Sequence, residues 1–348
     1  MDNNKIEFIY WFAYYNTHSS SVIYRGKYPL EYFKKFKGIN YYFVVPGYTP
    51  IRLINFLKSY LSALLFRKRN SLIVIQRVQS NFIYATLLKI LIRIRNKDTI
   101  YDTDDADYLN VNPKTIYYFA EHCHKISAGS KKIAQHLSRF NNNILHITSP
   151  VFDLGIVKTY KSAIFTVGWI GEFDSEHKEC LISIVFPAIK QLKFQLKFVL
   201  MGVTNKIDEL FIKNYFHNYK NIIIEIPLNI NWNDEIKIQK RITEFDVGIA
   251  TLMNSEFQTS KSGIKAKQYM NNGVPVLSSN LPENNSVVVD GYNGYFCDTT
   301  EDFIERLNKI YFMNNSEYFK LSENARKSIE NFDYNKYYRD LIRIKSIV

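Results

Sequence analysis

The chain has 348 residues, of which 46% are hydrophobic and 22% charged, so it can bury substantial cores and its length predicts two domains. Its net charge is +12, but residues 1–160 contain 22 Lys and Arg against 10 Asp and Glu, whereas residues 161–348 contain 23 of each kind. The whole excess of positive charge therefore lies in the first half. It predicts an anionic partner for that half, either nucleic acid or an acidic membrane surface.

Cysteine spacing and the N-terminal sequence exclude several other classes. Cys123, Cys180 and Cys297 are scattered and form no CxxC pair, so neither a disulfide framework nor a zinc cluster is indicated and we expect a reducing compartment. The first residues, MDNNKIEFIYWF, lack the basic start and long apolar core of a signal peptide. No uncharged run reaches the roughly 18 residues that span a bilayer.

Strand and helix patterns alternate through the first half of the chain. Short apolar runs bounded by turn residues predict six strands, IEFIYWFAYY, INYYFVV, SLIVIQR, DTIYDTDD, KISAGS and NILHITS. Helices are predicted near residues 28–36, over 51–66, in NFIYATLLKILIRIR, and from Lys114 and Lys131. This alternation predicts a parallel sheet with helices on both faces.

The second half repeats the pattern after a linker predicted at residues 150–162. Its strands are predicted as IFTVGWIG, FQLKFVLMG, NIIIEIP, FDVGIATL, VPVLSS and VVVDGYNGYF, and its helices include CLISIVFPAIKQL, DELFIKNYF and DEIKIQKRI. The predicted fold class is therefore α/β, with two doubly wound, Rossmann-like domains at residues 1–155 and 163–333. A last segment, residues 334–348, contains a mixed helix that could return to pack on the first domain.

The stretch KSGIKAKQYMNNGVPV, residues 261–276, predicts a short helix with readable limits. Ser260 or Ser262 is expected to cap its first turn. Asn272 and Gly273 supply a left-handed terminator, and Pro275 prevents the helix from resuming.

The charges on this short helix predict an anion site. Lys261 and Lys265 are expected one turn apart on one face, at the helix end where the macrodipole is already positive. A bound phosphate or diphosphate would offset that repulsion, and Gln268 would extend the same face. The alternative is a solvated basic face on a surface helix.

Ligands of open α/β sheets bind beyond the carboxyl ends of the strands, so the strand-end loops are the next candidates. In the second half, Gly171 and Glu172 close the first strand and Gly202 ends the second. Gly171 would let the backbone approach a diphosphate, although a tight turn that needs glycine is an equally good interpretation. Trp232, after the third strand, either stacks on a base or packs internally.

In the first half, Asp102, Asp104 and Asp105 follow the apolar strand TIY. Strand alternation puts Asp102 and Asp104 on one face, which suggests sugar-hydroxyl binding or, less readily, a metal site, because no further ligand stands nearby in sequence. Turn and capping aspartates are the alternative. Arg25 could bind an acceptor phosphate or mark a solvated helix start, and His18 lies in the same serine-rich loop.

Two segments of the first half, LKSYLSALLFRKRN and LLKILIRIRNK, place aliphatic and aromatic residues beside clusters of Lys and Arg. Interfacial helices on anionic lipid have this composition. The alternative is an ordinary amphipathic helix that covers the sheet and keeps its basic side in water.

Three stretches in order, FDVGIATL, KSGIKAKQYMNNGVPVLSSN and VVVDGYNGYF, resemble the donor-domain signature of glycosyltransferase family 4, the group 1 type of retaining GT-B transferases. TVGWIGEF resembles the first strand and glycine loop of that domain. IYDTDDA resembles an acceptor-domain motif of a bacterial subset, and KISAGS resembles the strand that follows it. The resemblance covers residues 5–345.

The resemblance implies a cleft between two domains, with the nucleotide sugar held by the second domain and the acceptor by the first. Carried over by position, the donor-binding residues are Gly171, Glu172, Gly202, Ser262 and Ile264, and the acceptor-binding residues are His18, Arg25, Asp102, Asp104 and Asp105. Lys261, Lys265 and Gln268 take the catalytic positions.

The family's paired glutamates, eight positions apart, would fall on Ser260 and Gln268, and neither residue is acidic here. Sugar orientation and contacts to the nucleotide ribose are therefore in question, although a glutamine can still hydrogen-bond hydroxyls. In the family the leaving diphosphate is stabilised electrostatically, so the two lysines and the helix end are expected to supply that stabilisation. Neither a metal nor a cofactor is expected.

The predicted protein is a cytoplasmic hexosyltransferase, peripheral on the inner face of the cell membrane. It is expected to transfer a sugar with retention from a UDP- or GDP-sugar to a glycan or lipid-linked acceptor of a bacterial surface polysaccharide such as a capsule. Three alternatives stay open: a catalytically impaired subunit that binds nucleotide sugar or glycan, a nucleic-acid-binding protein, and a metal-dependent transferase that uses the DTDD stretch. No nucleic-acid recognition motif is found.

Overall fold

The computed structural model describes residues 6–14, 19–79 and 83–346, without the side chains of residues 344–346. The chain divides into two compact units. The first comprises the residues up to Pro150, the short segment Ser260–Ser262 and the chain from Phe332 onwards, and the second comprises Val151–Thr259 and Gly263–Asn331. Each unit contains one six-stranded sheet.

The first unit is a parallel sheet covered by helices. Its strands are β1 (Phe8–Ala13), β2 (Asn40–Val44), β3 (Ser71–Gln76), β4 (Thr99–Thr103), β5 (Lys125–Ala128) and β6 (Ile144–His146). They pair in the order β2-β1-β3-β4-β5-β6. Its helices are α1 (Tyr28–Lys37), α2 (Pro50–Leu65), α3 (Ile83–Ile94), α4 (Lys114–His122) and α5 (Lys131–Leu137). A π-helical turn, Val22–Lys27, leads into α1.

Every side chain of β1, β3 and β4 is buried. Strands that are covered on both faces read as continuous apolar runs, which is why the sequence pattern located them. Helices α2 and α3 pack on each other, and α3 also packs on α4, so these three lie side by side on the sheet.

The second unit is a parallel sheet of the same size with a different strand order. Its strands are β7 (Phe165–Ile170), β8 (Leu196–Met201), β9 (Ile222–Glu225), β10 (Val247–Ala250), β11 (Val276–Ser278) and β12 (Gly294–Phe296). They pair in the order β12-β11-β10-β7-β8-β9. Counted from the first strand of the unit, this is the 3-2-1-4-5-6 order of dinucleotide-binding sheets. The predicted class, α/β with two doubly wound units, is confirmed.

The helices of the second unit are α6 (Ser175–Cys180), α7 (Phe186–Gln191), α8 (Lys206–Phe216), α9 (Glu235–Ile242), α10 (Ile264–Asn271), α11 (Thr300–Phe312) and α12 (Asn315–Lys327). A π-helical turn, Leu181–Val185, joins α6 to α7. Helices α11 and α12 were not predicted from the sequence. Each begins with a capping box, formed by Thr299 with Asp302 in α11 and by Asn314 with Glu317 in α12. In this motif the side chain of the N-cap residue accepts a backbone N–H, and the carboxylate three residues later accepts the backbone N–H of the N-cap residue.

The last helix, α13 (Tyr334–Ser346), belongs to the first unit and packs on α1. Tyr337 stacks on Phe33 and donates its hydroxyl to the backbone carbonyl of Arg25 at 2.9 Å. The linker predicted at residues 150–162 contains no helix or strand. It follows the second unit closely, because the buried Lys158 forms an ion pair with Asp246 at 3.1 Å.

Candidate functional site

The second sheet has its switch point between β7 and β10, where consecutive connections leave in opposite directions. Doubly wound folds bind ligands beyond the carboxyl ends of the strands at such a point. The hydroxyl of Tyr269, on α10, accepts the Ile170 N–H at 2.8 Å and donates to the Ile249 carbonyl at 3.1 Å. It therefore joins the ends of β7 and β10 and fixes α10 above the switch point.

Tyr269 was not singled out from the sequence. It is completely buried, its ring lies on Gly248, where a Cβ would meet the ring at 2.3 Å, and burial raises the pKa of its hydroxyl. The available signal was a tyrosine on the buried side of a helix that follows a glycine-containing strand.

Gly171 and Gly202, both predicted for the donor site, meet at the carboxyl ends of β7 and β8. Gly171 has φ +152° and Gly202 has φ +115°, a backbone conformation that other residues rarely adopt. A Cβ on Gly202 would lie 1.6 Å from the Gly171 carbonyl oxygen, so no side chain fits there. The two glycines leave bare backbone at the edge of the sheet.

Lys265 is placed directly beside this backbone. Its Nζ lies 5.2 Å from the ring centre of the buried Trp169, and a Cβ on Gly171 would be 2.8 Å from the same Nζ. The lysine is one residue after the start of α10, where the first N–H groups of a helix have no intrahelical partner. An ammonium, a helix N-terminus and a glycine whose backbone is not covered by a side chain together form an arrangement that binds phosphate.

The predicted start of this helix is wrong. Helix α10 begins at Ile264, and its N-cap is Gly263 in the left-handed conformation, φ +64°, rather than Ser260 or Ser262. Glycine is favoured there because side chains rarely adopt this φ, and a Cβ would also lie only 3.2 Å from the Asn284 side chain. The predicted termination is confirmed, since Gly273 has φ +68° and its N–H bonds to the Met270 carbonyl at 3.0 Å.

Because the helix begins later than predicted, Lys261 and Lys265 do not share a helix face. Lys261 and Ser262 fall in the segment that clusters with the first unit. There the Lys261 ammonium lies 3.4 Å from an Asp105 oxygen, and the Ser262 carbonyl accepts from the Thr148 hydroxyl at 3.2 Å. Lys265 is therefore the predicted lysine that the second unit retains.

The remaining predicted donor residues differ in exposure. Gln268 is 9% exposed and lies on α10 one turn after Lys265, whereas Glu172 is exposed and Ile264 is half-buried. Two side-chain hydrogen bonds in series lie near the same edge of the sheet. The buried Cys180 thiol is 3.1 Å from the Thr251 hydroxyl, which is 3.2 Å from the Ser279 hydroxyl.

Two of the predicted acceptor residues form an interior ion pair. Arg25 and Asp102 are both fully buried, with guanidinium-to-carboxylate distances of 3.0 and 2.5 Å. Arg25 also donates to the Ile147 carbonyl at 2.6 Å and to the Ser127 hydroxyl at 2.9 Å. The expectation that these two side chains face an acceptor is corrected, because both are enclosed and Arg25 already has partners in the protein.

Arg77 was missed from the sequence and is the centre of a charged cluster at the carboxyl end of β3. It forms a bidentate pair with Asp107 at 2.6 and 2.8 Å, contacts Asp105 at 2.9 Å and lies 3.8 Å from Asp104. Its φ of +53° is unusual for a residue other than glycine. The available signal was an arginine placed immediately after an apolar strand.

In this cluster the neighbouring charges and burial shift the pKa of the Arg77 guanidinium in opposite directions. Burial alone would lower the pKa of the Arg77 guanidinium, but the charges of Asp105, Asp107 and Asp104 outweigh it and raise that pKa well above its ordinary value. Burial raises the pKa of the Asp104 carboxyl to about 6, and the neighbouring Asp105 charge adds to the shift. Asp104 is 6% exposed, and its Oδ1 has no hydrogen-bond partner among the described residues.

Arg77 lies at the switch point of the first sheet, between β1 and β3. It donates to the Ser21 hydroxyl at 2.7 Å in the loop that follows β1. His18, predicted for the same loop, lies outside the described residues. Asp104 and Asp105 remain the predicted acceptor residues that the structure places at this edge.

Other possible sites are limited. Within the described ranges, no group of three or more His, Cys, Asp or Glu is arranged to hold a metal ion. The helices described are each too short or too polar to cross a bilayer. A groove of about 720 Å³ lies between the loop before β12 and helices α11 and α12. It is at the amino-terminal edge of the second sheet and contains none of the predicted residues.

Comparison with known proteins gives a consistent family and fold. Residues 164–312 match the family model described as Glycosyl transferases group 1. Among solved structures, HepE of Anabaena in complex with UDP-glucose aligns with a TM-score of 0.68 at 13% identity, covering 97% of this chain and 99% of that one. A glycosyltransferase from Rickettsia africae aligns with a TM-score of 0.69 at 15% identity over 98% of both chains.

The lipopolysaccharide outer core galactosyltransferase WaaB, in its apo form, aligns with a TM-score of 0.63 at 12% identity, covering 97% of this chain and 99% of that one. No curated protein sequence matches the chain significantly. At these identities the structural matches show the fold. The resemblance predicted from the sequence is confirmed, because residues 164–312 match the group 1 glycosyltransferase family and the chain has the two-domain α/β fold of GT-B glycosyltransferases.

Proposed function

We propose that the protein transfers a hexose from a nucleoside diphosphate sugar, UDP- or GDP-linked, to a glycan or lipid-linked acceptor. The observation that supports this proposal best is the position of Lys265 beside the bare backbone of Gly171 at the switch point of a group 1 donor-type unit. The complex of HepE with UDP-glucose makes uridine diphosphate sugars the first donors to test.

In the proposed reaction the bond between the sugar's anomeric carbon and a diphosphate oxygen breaks, and an acceptor hydroxyl oxygen bonds to that carbon. The leaving diphosphate gains negative charge and accepts the proton of the acceptor hydroxyl. Lys265 and the N-terminus of α10 would stabilise that charge, which requires neither a metal ion nor an enzymic base. Retention of the anomeric configuration follows the chemistry that the resemblance implies. Gln268 would hydrogen-bond donor hydroxyls from the same helix.

On the acceptor side, Asp104 and Asp105 are proposed to receive hydroxyl groups of the acceptor glycan. The Asp104 Oδ1 supports this assignment, because it lies 3.8 Å from Arg77 but has no hydrogen-bond partner among the described residues, and a buried carboxyl oxygen is stabilised by a hydroxyl donor. A lipid-linked acceptor of a surface polysaccharide such as a capsule would reside in the inner leaflet. The protein would then act from the cytoplasm as a peripheral protein on the cell membrane, and nucleic acid is not among its proposed partners.

Replacement of Lys265 tests the donor site. Lys265→Ala is expected to weaken UDP binding, measured by calorimetry, about tenfold or more and to reduce sugar transfer further, because the lost charge acts on both the bound donor and the leaving group. The matched control is Lys237→Ala, which removes an exposed lysine of α9 in the same unit. Wild-type UDP affinity and transfer rate in Lys265→Ala would reject the proposed site.

A second candidate function is supported by one observation. Ser260 and Gln268 stand where the resemblance places glutamates, so the protein could bind a nucleotide sugar without turning it over. Donor binding by calorimetry with no transfer across a panel of acceptors would favour this binding subunit. Transfer that is lost in Gln268→Ala and kept in Lys237→Ala would favour the enzyme.

A further inference from the structure

The positive charge of the chain is concentrated in one stretch of the first unit. Residues 32–97 contain 13 Lys and Arg and no Asp or Glu, since Glu31 and Asp98 are the acidic residues on either side. The rest of the chain contains 32 Lys and Arg against 33 Asp and Glu, which is nearly balanced. The whole net charge of +12 therefore originates between α1 and β4.

Helix α2, in the middle of this stretch, has apolar side chains on two opposite faces. Its inner face is buried through Phe56, Ser59, Tyr60 and Ala63. The opposite face exposes Ile51 (73%), Ile54 (62%), Leu61 (45%) and Leu65 (58%), a stripe with helical spacing that extends over about 21 Å of helix axis. An ordinary sheet-covering helix would place polar residues on that outer face.

Helix α3 packs beside α2 and adds a second exposed apolar row. Ile83, Ile90 and Ile94 are 74%, 43% and 59% exposed and recur at the spacing of one helix face. The two helices are tied at their C-terminal ends, because Arg95 donates twice to the Leu64 carbonyl, at 2.9 and 2.7 Å. Together they form an apolar surface, which we call the α2–α3 face.

Basic side chains lie along and beside the α2–α3 face, and Lys58, seven residues after Ile51, is on the same side of α2 as the apolar stripe. Arg52 and Lys58 are exposed on α2, and Lys68 and Arg69 are exposed just after it. Arg93 and Lys97 are exposed at the end of α3. An apolar stripe bordered by cations matches the cross-section of a membrane interface, in which acyl chains lie below a layer of anionic headgroups.

We propose that the α2–α3 face inserts the apolar stripe of α2 into an anionic lipid bilayer, with α2 parallel to the membrane plane. The suggestion that membrane binding brings the protein to a lipid-linked acceptor rests on the proposed function. Lipid binding itself does not, because it requires no sugar transfer. The charge argues against a second copy, since two identical basic surfaces would oppose like charges. The aliphatic stripe argues against nucleic acid, which is bound through phosphate contacts and base stacking.

Vesicle co-sedimentation of the full chain tests the proposal. The wild-type protein is expected to bind phosphatidylcholine vesicles that contain about one third phosphatidylglycerol, and to bind pure phosphatidylcholine vesicles at least about tenfold more weakly at low salt. The anionic component is expected to be lost at about 0.5 M salt because exposed charges are screened. Equal binding to both vesicles at low salt, or binding to neither, would overturn it.

Two variants separate the apolar and the charged contributions. Ile54→Gln with Leu61→Gln is expected to lower binding to anionic vesicles about tenfold, and Arg52→Glu with Arg69→Glu is expected to abolish the preference for anionic over neutral vesicles. The matched control, Ile207→Gln with Ile236→Gln, changes isoleucines of the second unit that are 80% and 51% exposed, and it should bind as the wild type does.

Further outcomes of these experiments distinguish membrane binding from self-association through the α2–α3 face, and from the proposed sugar transfer. A wild-type dimer that Ile54→Gln with Leu61→Gln converts to a monomer, without vesicle binding, would assign the α2–α3 face to self-association and overturn the proposal. Transfer to a water-soluble acceptor should be unchanged in all three double variants. If the protein binds anionic vesicles but transfers no sugar, the proposed glycosyltransferase activity is rejected and the proposed membrane binding by the α2–α3 face is still supported.

Discussion

The carboxyl edges of the two sheets have charged side chains in opposite situations. At the edge of the first sheet, the cations Arg25 and Arg77 are buried; Arg25 is paired with Asp102 of β4, and Arg77 is paired with Asp107, which follows β4. At the edge of the second sheet, the Lys265 ammonium lies above Trp169 and beside a glycine that has no side chain. The first arrangement pairs its cations with carboxylates inside the protein, whereas the second places an ammonium beside a glycine at the edge of the sheet, where we propose that an anionic ligand binds.

This difference indicates what each edge contributes. A cation that is paired with buried carboxylates belongs to the interior of the fold, and removing either partner destabilises the protein because it leaves an uncompensated buried charge. A lysine at a helix N-terminus next to a glycine loop contributes to anion binding more than to stability. Substitutions at the first edge should therefore change the free energy of unfolding, and those at the second should change donor binding.

The largest expected effect is on the interior ion pair of the first unit. Arg25→Met leaves the Asp102 carboxylate fully buried without its guanidinium partner, and we expect a loss of about 3–5 kcal/mol in the free energy of unfolding. Urea unfolding followed by hydrogen exchange on peptides of each unit measures the loss and assigns it to the first unit. Donor binding by the second unit should be unchanged.

A surface ion pair of the same unit supplies the control. Lys336→Ala breaks the pair with Asp340 on α13, whose side chains are 46% and 20% exposed, and it should cost less than about 1 kcal/mol. If Arg25→Met were as stable as Lys336→Ala but lost acceptor binding, the comparison between the two edges would fail. Arg25 would then return to the ligand role predicted from the sequence.

A smaller effect is expected at the switch point of the second unit. Tyr269→Phe removes the hydroxyl that joins the Ile170 N–H to the Ile249 carbonyl, so both backbone groups lose a buried partner. We expect a loss of about 1–3 kcal/mol in the free energy of unfolding and a weaker affinity for UDP, because α10 is held less firmly above β7 and β10. Calorimetry and hydrogen exchange at both strand ends measure the two effects.

Tyr318→Phe is the matched control for this change. Tyr318 is also completely buried in the second unit, and its hydroxyl donates to the Asp246 carbonyl at 3.0 Å, at the amino-terminal end of β10. The loss of stability should be similar, with no change in UDP affinity. Equal losses of affinity in the two variants would show that Tyr269 acts through general stability alone.

Local patterns were sufficient to predict much of this architecture. The buried strands are continuous apolar runs, and the end of α10 follows from a glycine and a proline whose backbone preferences act within a few residues. The two helices α11 and α12 were not predicted, although the residue pairs of their capping boxes, Thr299 with Asp302 and Asn314 with Glu317, are only three residues apart in the sequence. These two helices are therefore features that a local pattern is sufficient to predict.

Long-range contacts explain the features that local patterns did not predict. The start of α10 depends on the left-handed Gly263, and Asn284, whose side chain would lie 3.2 Å from a Cβ at that position, is 21 residues away in the chain. Arg25 and Asp102 are 77 residues apart, so nothing local distinguishes a paired arginine from one that faces a ligand. The partners of Arg77 are aspartates in the segment that follows the next strand, β4.

The smallest expected effect concerns the protonation of Asp104, which separates the two roles that remain possible for the first edge. Its carboxyl faces Arg77, Arg25, Asp102 and Asp105, and burial raises its pKa from 3.8 to about 6. A raised pKa means that the folded state binds the proton more tightly than the unfolded state. The stabilisation from that proton is complete below about pH 4 and is lost as the pH rises through about 6.

Asp104→Asn removes this titration and so provides the test. Relative to the wild type, the variant should gain about 2 kcal/mol in the free energy of unfolding between pH 4 and pH 7, because the wild type alone acquires a buried charge over that range. Unfolding of the first unit by urea at several pH values measures the difference, with Glu121→Gln, at a side chain that is 65% exposed, as the control for an exposed carboxylate. A difference that does not depend on pH would show that Asp104 is already compensated by Arg77, and the first edge would then be a closed structural cluster with no carboxyl group available for an acceptor hydroxyl.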